Sequence, residues 1–167
     1  MRTGAVMRDT PRGYTLLEVM LVCGLLALLA AAALPFWLPR RDQQQILAES
    51  LRLQAYLLTL REQAFRSNGV RHILLRRGSG GEACLVGQPQ DDCRTVAAFV
   101  PIAPLRLEAQ MSSDAGFYGV RNTARPGHIR LSDERRAVRV IWSAQGRVRL
   151  CAEYGLPVLT ACDTSGE

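Results

Sequence analysis

From Val19 to Leu38 the chain carries no charged side chain, and Glu18 stands at the mouth of that run. At ~1.5 Å of rise per residue such a run is long enough to cross a hydrocarbon core of ~30 Å as a helix. The rival reading is a secretory signal peptide, with Arg2, Arg8 and Arg12 as its basic region and Ala30 to Ala33 offering small residues for cleavage. The length of the run favours the spanning helix, and Glu18 fits neither a signal peptide nor a plain anchor. A carboxylate at the edge of lipid is costly unless it is paired. Glu18 is therefore a functional residue by default, and its natural partner is a free amine.

Gly13-Tyr14-Thr15-Leu16-Leu17-Glu18-Val19, behind a short basic leader, resembles the class III signal of type IV pilins and type II secretion pseudopilins. The resemblance implies cleavage after Gly13 by prepilin peptidase, methylation of the new amino terminus on Tyr14, and pairing of Glu18 with the terminal amine of a neighbouring subunit. Tyr14 stands where phenylalanine is usual. Pro35 falls where major pilins carry a helix-breaking proline, and its missing N–H would loosen the helical ladder there. The implied organisation is a cleaved leader over residues 1–13, a transmembrane helix over 14–39, an amphipathic continuation over 40–69, and a periplasmic β-rich domain over 70–167. The leader arginines favour a cytoplasmic amino terminus, Arg40 and Arg41 weigh against it, and the inner-membrane topology therefore leans on the resemblance.

Beyond the apolar run the chain has the length of one small domain with a single core. All 21 basic side chains are arginine, and the formal charge is +6. The excess is local: Arg121, Arg125, Arg130, Arg135, Arg136, Arg139, Arg147 and Arg149 face only Asp133 and Glu134 in that stretch. Cys23 sits inside the apolar run as a small apolar residue. Cys84, Cys93, Cys151 and Cys162 lie beyond it, and an even number in a small exported domain reads as disulfides. Four cysteines allow three connectivities. The two local bridges, Cys84–Cys93 and Cys151–Cys162, are favoured because each closes a short polar or turn-rich loop. No zinc site is expected, since there is no C-x-x-C and His72 and His128 stand alone.

From Asp42 the pattern turns amphipathic, with Ile46, Leu53, Leu57, Leu60 and Ala64 at spacings of three and four, flanked by Leu47, Leu51, Leu58 and Phe65. The helix is expected to stop at Ser67-Asn68-Gly69. Val70–Arg77 and Glu82–Val86 then read as strands around Gly78-Ser79-Gly80-Gly81, Thr95–Leu107 as an edge strand or extended connection broken by Pro101 and Pro104, and Ala109–Arg125 as a turn-laden loop with a short strand near Phe117–Val120. His128–Ser132, Arg135–Ser143 and Arg147–Tyr154 are the better strand candidates. One long helix followed only by strands is an α+β arrangement, with antiparallel sheet packed on the helix. Leu60–Val70 and Ser143–Cys151 resemble the two ends of the GspH/FimT family of minor pilins and pseudopilins, and the implied fold is pilin-like.

In the soluble part, Gly146-Arg147-Val148-Arg149 carries the clearest chemistry. Strand alternation places Arg147 and Arg149 on one face beside a glycine turn, where two guanidinium groups can grip successive phosphates. The motif resembles the GRxR signature of FimT-type pilins, which implies non-specific binding of double-stranded DNA during natural transformation. Arg136 and Arg139 on the preceding strand widen the candidate patch. The competing reading is a solvated strand face whose arginines pair with carboxylates such as Glu153. Expected partners are thus prepilin peptidase, other minor pilins or pseudopilins, the inner membrane and DNA. The alternative assignment is a type II secretion pseudopilin of the protein H type that binds no DNA. No cofactor or enzymatic activity is expected, because no nucleophile–base pair, metal spacing or clustered carboxylates can be assembled.

Overall fold

The computed structural model describes residues 15–102 and 104–163, with the backbone alone described over residues 33–40. Two compact units divide the chain, Met1–Arg40 and Arg41–Glu167. Helix α1, Leu16–Ser67, begins in the first and ends in the second.

The start of α1 follows from its sequence. Thr15 caps it: the Glu18 N–H lies 3.3 Å from the Thr15 hydroxyl oxygen and 3.0 Å from the Thr15 carbonyl, so an otherwise orphaned donor is satisfied. Glu18 in the first turn also favours the positive end of the helix dipole. Helix assignment continues through Pro35. Among the described residues no helix is long and apolar enough to cross a membrane. The described side chains of the apolar run end at Ala32, while its sequence continues to Leu38.

The other end of α1 is a Schellman closure. Asn68 adopts the left-handed conformation at φ 50°, its N–H reaches the Phe65 carbonyl, and the Gly69 N–H reaches the Ala64 carbonyl at 3.0 Å. The residue that takes the strained backbone is thus Asn68, which tolerates that region through its short polar side chain.

In the second unit seven strands follow: β1 (Val70–His72), β2 (Leu74–Arg77), β3 (Ala83–Val86), β4 (Arg106–Tyr118), β5 (Thr123–Ser132), β6 (Ala137–Trp142) and β7 (Val148–Tyr154). Five form an antiparallel sheet in the order β1-β4-β5-β6-β7, and β2 and β3 form a separate hairpin. Leu53, Leu57, Leu60 and Ala64 of α1 bury against Phe117, Ile129, Leu131, Val140, Trp142 and Val148 of the sheet. Each such side chain contributes ~1.5–3 kcal/mol by leaving water. A second cluster joins Ile46 to Val138, Ala152 and Leu156. The architecture is α+β, a helix packed on an antiparallel sheet, consistent with a type IV pilin fold.

Two expectations need correction. Ala109–Arg125 is not a turn-laden loop: β4 and β5 pair from Arg106↔Ser132 to Tyr118↔Thr123, with a register break between Met111 and Gly116. The weak strand formers Ser112, Ser113 and Gly116 fall at or beside that irregularity, where pairing on both flanks overrides local propensity. Further, Leu51, Leu58 and Phe65 do not extend the buried face of α1. They are exposed, because only the narrower stripe through Ile46, Leu53, Leu57, Leu60 and Ala64 meets the sheet.

Gly119 is dictated by packing. A Cβ there would stand 2.0 Å from the Ala64 carbonyl oxygen, so this glycine lets the end of β4 close on the last turns of α1. Both local disulfides are present, Cys84–Cys93 across the β3 loop and Cys151–Cys162 across β7 and the tail. The tail covers part of the β7 edge: the Ala152 N–H donates to the Thr160 carbonyl and the Cys162 N–H to the Ala152 carbonyl.

Candidate functional site

Gly13 and Tyr14 lie outside the described residues. Glu18 is exposed on the first turn of α1, and among the described residues no side chain pairs with its carboxylate. Its position allows a partner from outside the chain to reach it.

The arginine motif occupies the β6–β7 turn. The Gly146 N–H donates to the Ser143 carbonyl at 2.8 Å and the Ser143 N–H to the Arg147 carbonyl at 3.0 Å, closing a tight connection. Gly146 sits at φ +71°, a region that L side chains rarely adopt. Its carbonyl accepts a hydrogen bond of 3.2 Å from Arg61 Nη1, which ties the turn to α1. Val148 is buried between exposed Arg147 and Arg149, the alternation expected of a strand with one dry face. Among the described residues neither Arg147 nor Arg149 has a side-chain partner.

The remaining arginines behave differently. Arg130 and Arg139 stand directly opposite each other on β5 and β6, a like-charge pair that would be unfavourable alone. Glu153 resolves it. The β6–β7 register breaks between Ala137 and Val138, leaving Glu153 as the extra residue of a bulge. Its carboxylate accepts from Arg130 Nε at 2.7 Å and from Arg139 Nε at 2.8 Å. Arg130 also reaches Glu108 at 2.9 Å. Burial pushes the Glu153 carboxyl up, but the hydrogen bonds from Arg130 and Arg139 outweigh it and hold its pKa below the usual value. The same bonds, from Glu153 first and Glu108 second, raise the Arg130 pKa.

Arg136 is 8% exposed and pairs with Asp133 at 3.3 Å; Arg125 pairs with Asp114 at 2.9 Å. The basic half of the domain is therefore not one open patch. Arg136 and Arg139, named in the sequence with the GRxR arginines, are held by carboxylates, whereas Arg147 and Arg149 are not. On the register Arg149 opposes Ile141, two residues from Arg139 on β6, so Arg139 and Arg149 share the sheet face turned away from α1.

His72 and His128 lie in β1 and β5, both half-buried. Burial, and after it the nearby Arg139, lower the His128 pKa. Among the described residues no group of histidine, cysteine and carboxylate side chains is placed to hold a metal ion. The Arg61 contact to Gly146 is not legible in the sequence, because it joins residues far apart along the chain.

Residues 9–34 match the family described as the prokaryotic N-terminal methylation motif. That match indicates a type IV pilin-like substrate of prepilin peptidase, which implies assembly with other pilins, and it fits a membrane-anchored subunit. No curated protein and no solved structure matches the chain. The pilin-like assignment accordingly rests on the amino-terminal motif together with the fold.

Proposed function

We propose that this chain is a minor pilin-like subunit that is cut after Gly13, methylated on Tyr14, anchored by its apolar run and assembled through Glu18, and that Arg147 and Arg149 contact DNA phosphates. The observation that carries the DNA reading is the contrast on the sheet: Glu153 and Glu108 between them neutralise Arg130 and Arg139, while Arg147 and Arg149 are exposed and, among the described residues, without side-chain partners. Unpaired guanidinium groups beside a rigid turn need no internal ion pair to be broken before they bind phosphate. Few aromatic side chains adjoin them, so the contact is to the backbone and independent of sequence.

A mobility-shift titration of the full chain in detergent micelles against double-stranded DNA, at low and moderate salt, tests this. Wild type shifts the DNA and weakens steeply with salt. Arg147→Gln/Arg149→Gln loses most of that affinity and lowers the salt slope by about 2. If wild type produces no shift, the arginines are a solvated surface, and the chain is an assembly subunit, pilin or type II secretion pseudopilin of the protein H type, without DNA contact.

A further inference from the structure

A second cluster of exposed charges lies at the other end of β7. A cavity of about 690 Å³ opens between the start of β4, the β5–β6 turn and the residues of α1 that open the second unit. Tyr154 lines it, and the stretch from Val148 to Tyr154 separates it from the arginine turn by ~20 Å of strand.

The wall of this cavity carries charges of both signs. Arg130 and Arg136 are engaged by carboxylates, as described above. Arg106, Arg135, Asp42 and Glu134 also line the cavity, all four are exposed, and among the described residues none has a side-chain partner. A simple anion would be attracted by Arg106 and Arg135 and repelled by Asp42 and Glu134. A simple amine would meet the reverse. A ligand carrying one charge of each sign, a few ångströms apart, satisfies all four.

Covalent reach decides which zwitterion is at hand. Asp42 follows Leu38, the last residue of the apolar run, by four positions. Four residues span at most ~14 Å even when fully extended, so Asp42, on the cavity rim, lies no farther than that from the end of the run. That is the depth of the phospholipid headgroups.

We infer that the cavity binds the phosphoethanolamine headgroup of a membrane phospholipid, phosphate toward Arg106 and Arg135 and ammonium toward Asp42 and Glu134. A primary ammonium donates hydrogen bonds to carboxylates. A choline headgroup donates none and is better recognised by an aromatic cage, for which this cavity has Tyr154 alone among its lining residues. The inference rests on the membrane-anchored reading given above.

The test uses the full chain. Flotation with vesicles comes first: a chain that stays in the aqueous phase refutes the anchor, and the headgroup site with it. For a chain that floats, native mass spectrometry counts the lipids retained after release from mixed micelles holding equal phosphatidylethanolamine, phosphatidylcholine and phosphatidylglycerol. Wild type retains phosphatidylethanolamine preferentially. Arg106→Gln/Arg135→Gln lowers that retention by ~10-fold or more. Asp42→Asn/Glu134→Gln shifts the preference toward phosphatidylglycerol. Equal retention of the three lipids by wild type, or retention unchanged in both variants with thermal melting also unchanged, overturns the site while leaving the anchor intact. Soluble glycerophosphoethanolamine supplies the last arm: binding as tight as that of the lipid would make a free phosphodiester the ligand and overturn the membrane assignment.

Discussion

Glu153 holds two arginines that would otherwise repel, so its removal affects more than one contact. Glu153→Gln leaves Arg130 and Arg139 opposed with no carboxylate between them, and a loss of about 2 kcal/mol in chemical denaturation is expected. Linkage gives the sign of the pH effect. The folded-state pKa lies below the ordinary 4.5, so the unfolded chain binds the proton more readily; the contribution is fully present above 4.5 and is lost as pH falls through the lower folded value. Wild type should therefore lose stability on acidification below about pH 4.5 more steeply than Glu153→Gln, which has no such group to protonate. Gly146 makes a separate prediction at this scale. Gly146→Ala places a Cβ on a backbone at φ +71° and 3.4 Å from Arg61 Cδ, and costs about 1 kcal/mol or more. Gly146→Asn is milder, because asparagine tolerates the left-handed region. Thermal melts of the two variants side by side separate backbone strain from the loss of glycine as such.

At the scale of elements, the disulfide between Cys151 and Cys162 links β7 to the tail that covers its edge. The two cysteines are 11 residues apart in sequence, a loop whose closure in the unfolded chain is worth about 3 kcal/mol on the chain-entropy account. Cys151→Ala/Cys162→Ala should lower stability by roughly that amount and raise hydrogen exchange at the Ala152 and Cys162 amides, which bond across this edge. Exchange unchanged at both amides would show that buried Leu156 alone holds the tail. The cysteine pairing was legible because short turn-rich loops leave few partners within reach. The buried stripe of α1, the second half of β5 and strands β6 and β7 were also legible, since their apolar periodicity is set by the same sheet face that buries them. β4 was not. Its middle, Met111 to Gly116, carries serine, aspartate and glycine, and only pairing with β5 shows that a strand passes through them. The Glu153 bulge was hidden for a related reason: the extra residue in a ladder is defined by register, which one strand alone does not encode.

For the whole molecule, the two ends of the proposed function are separable by experiment because different residues carry them. The methylation motif covers residues 9–34, whereas Arg147 and Arg149 belong to the second unit. Gly13→Ala should block cleavage, so that intact-mass measurement finds the leader retained, while the purified protein still shifts DNA, since Arg147 and Arg149 belong to the second unit. Glu18→Val should be cut and methylated normally yet fail to enter filaments, because the amine of the neighbouring subunit then has no carboxylate to meet and the methylation site itself is intact. Arg147→Gln/Arg149→Gln should be cut and assembled like wild type and fail only in DNA binding. The three variants thus fail at processing, assembly and DNA contact respectively. If Glu18→Val enters filaments at the wild-type level, Glu18 serves only the first turn of α1, where it already lies within reach of the Thr15 cap, and the assembly role must be sought elsewhere on the chain.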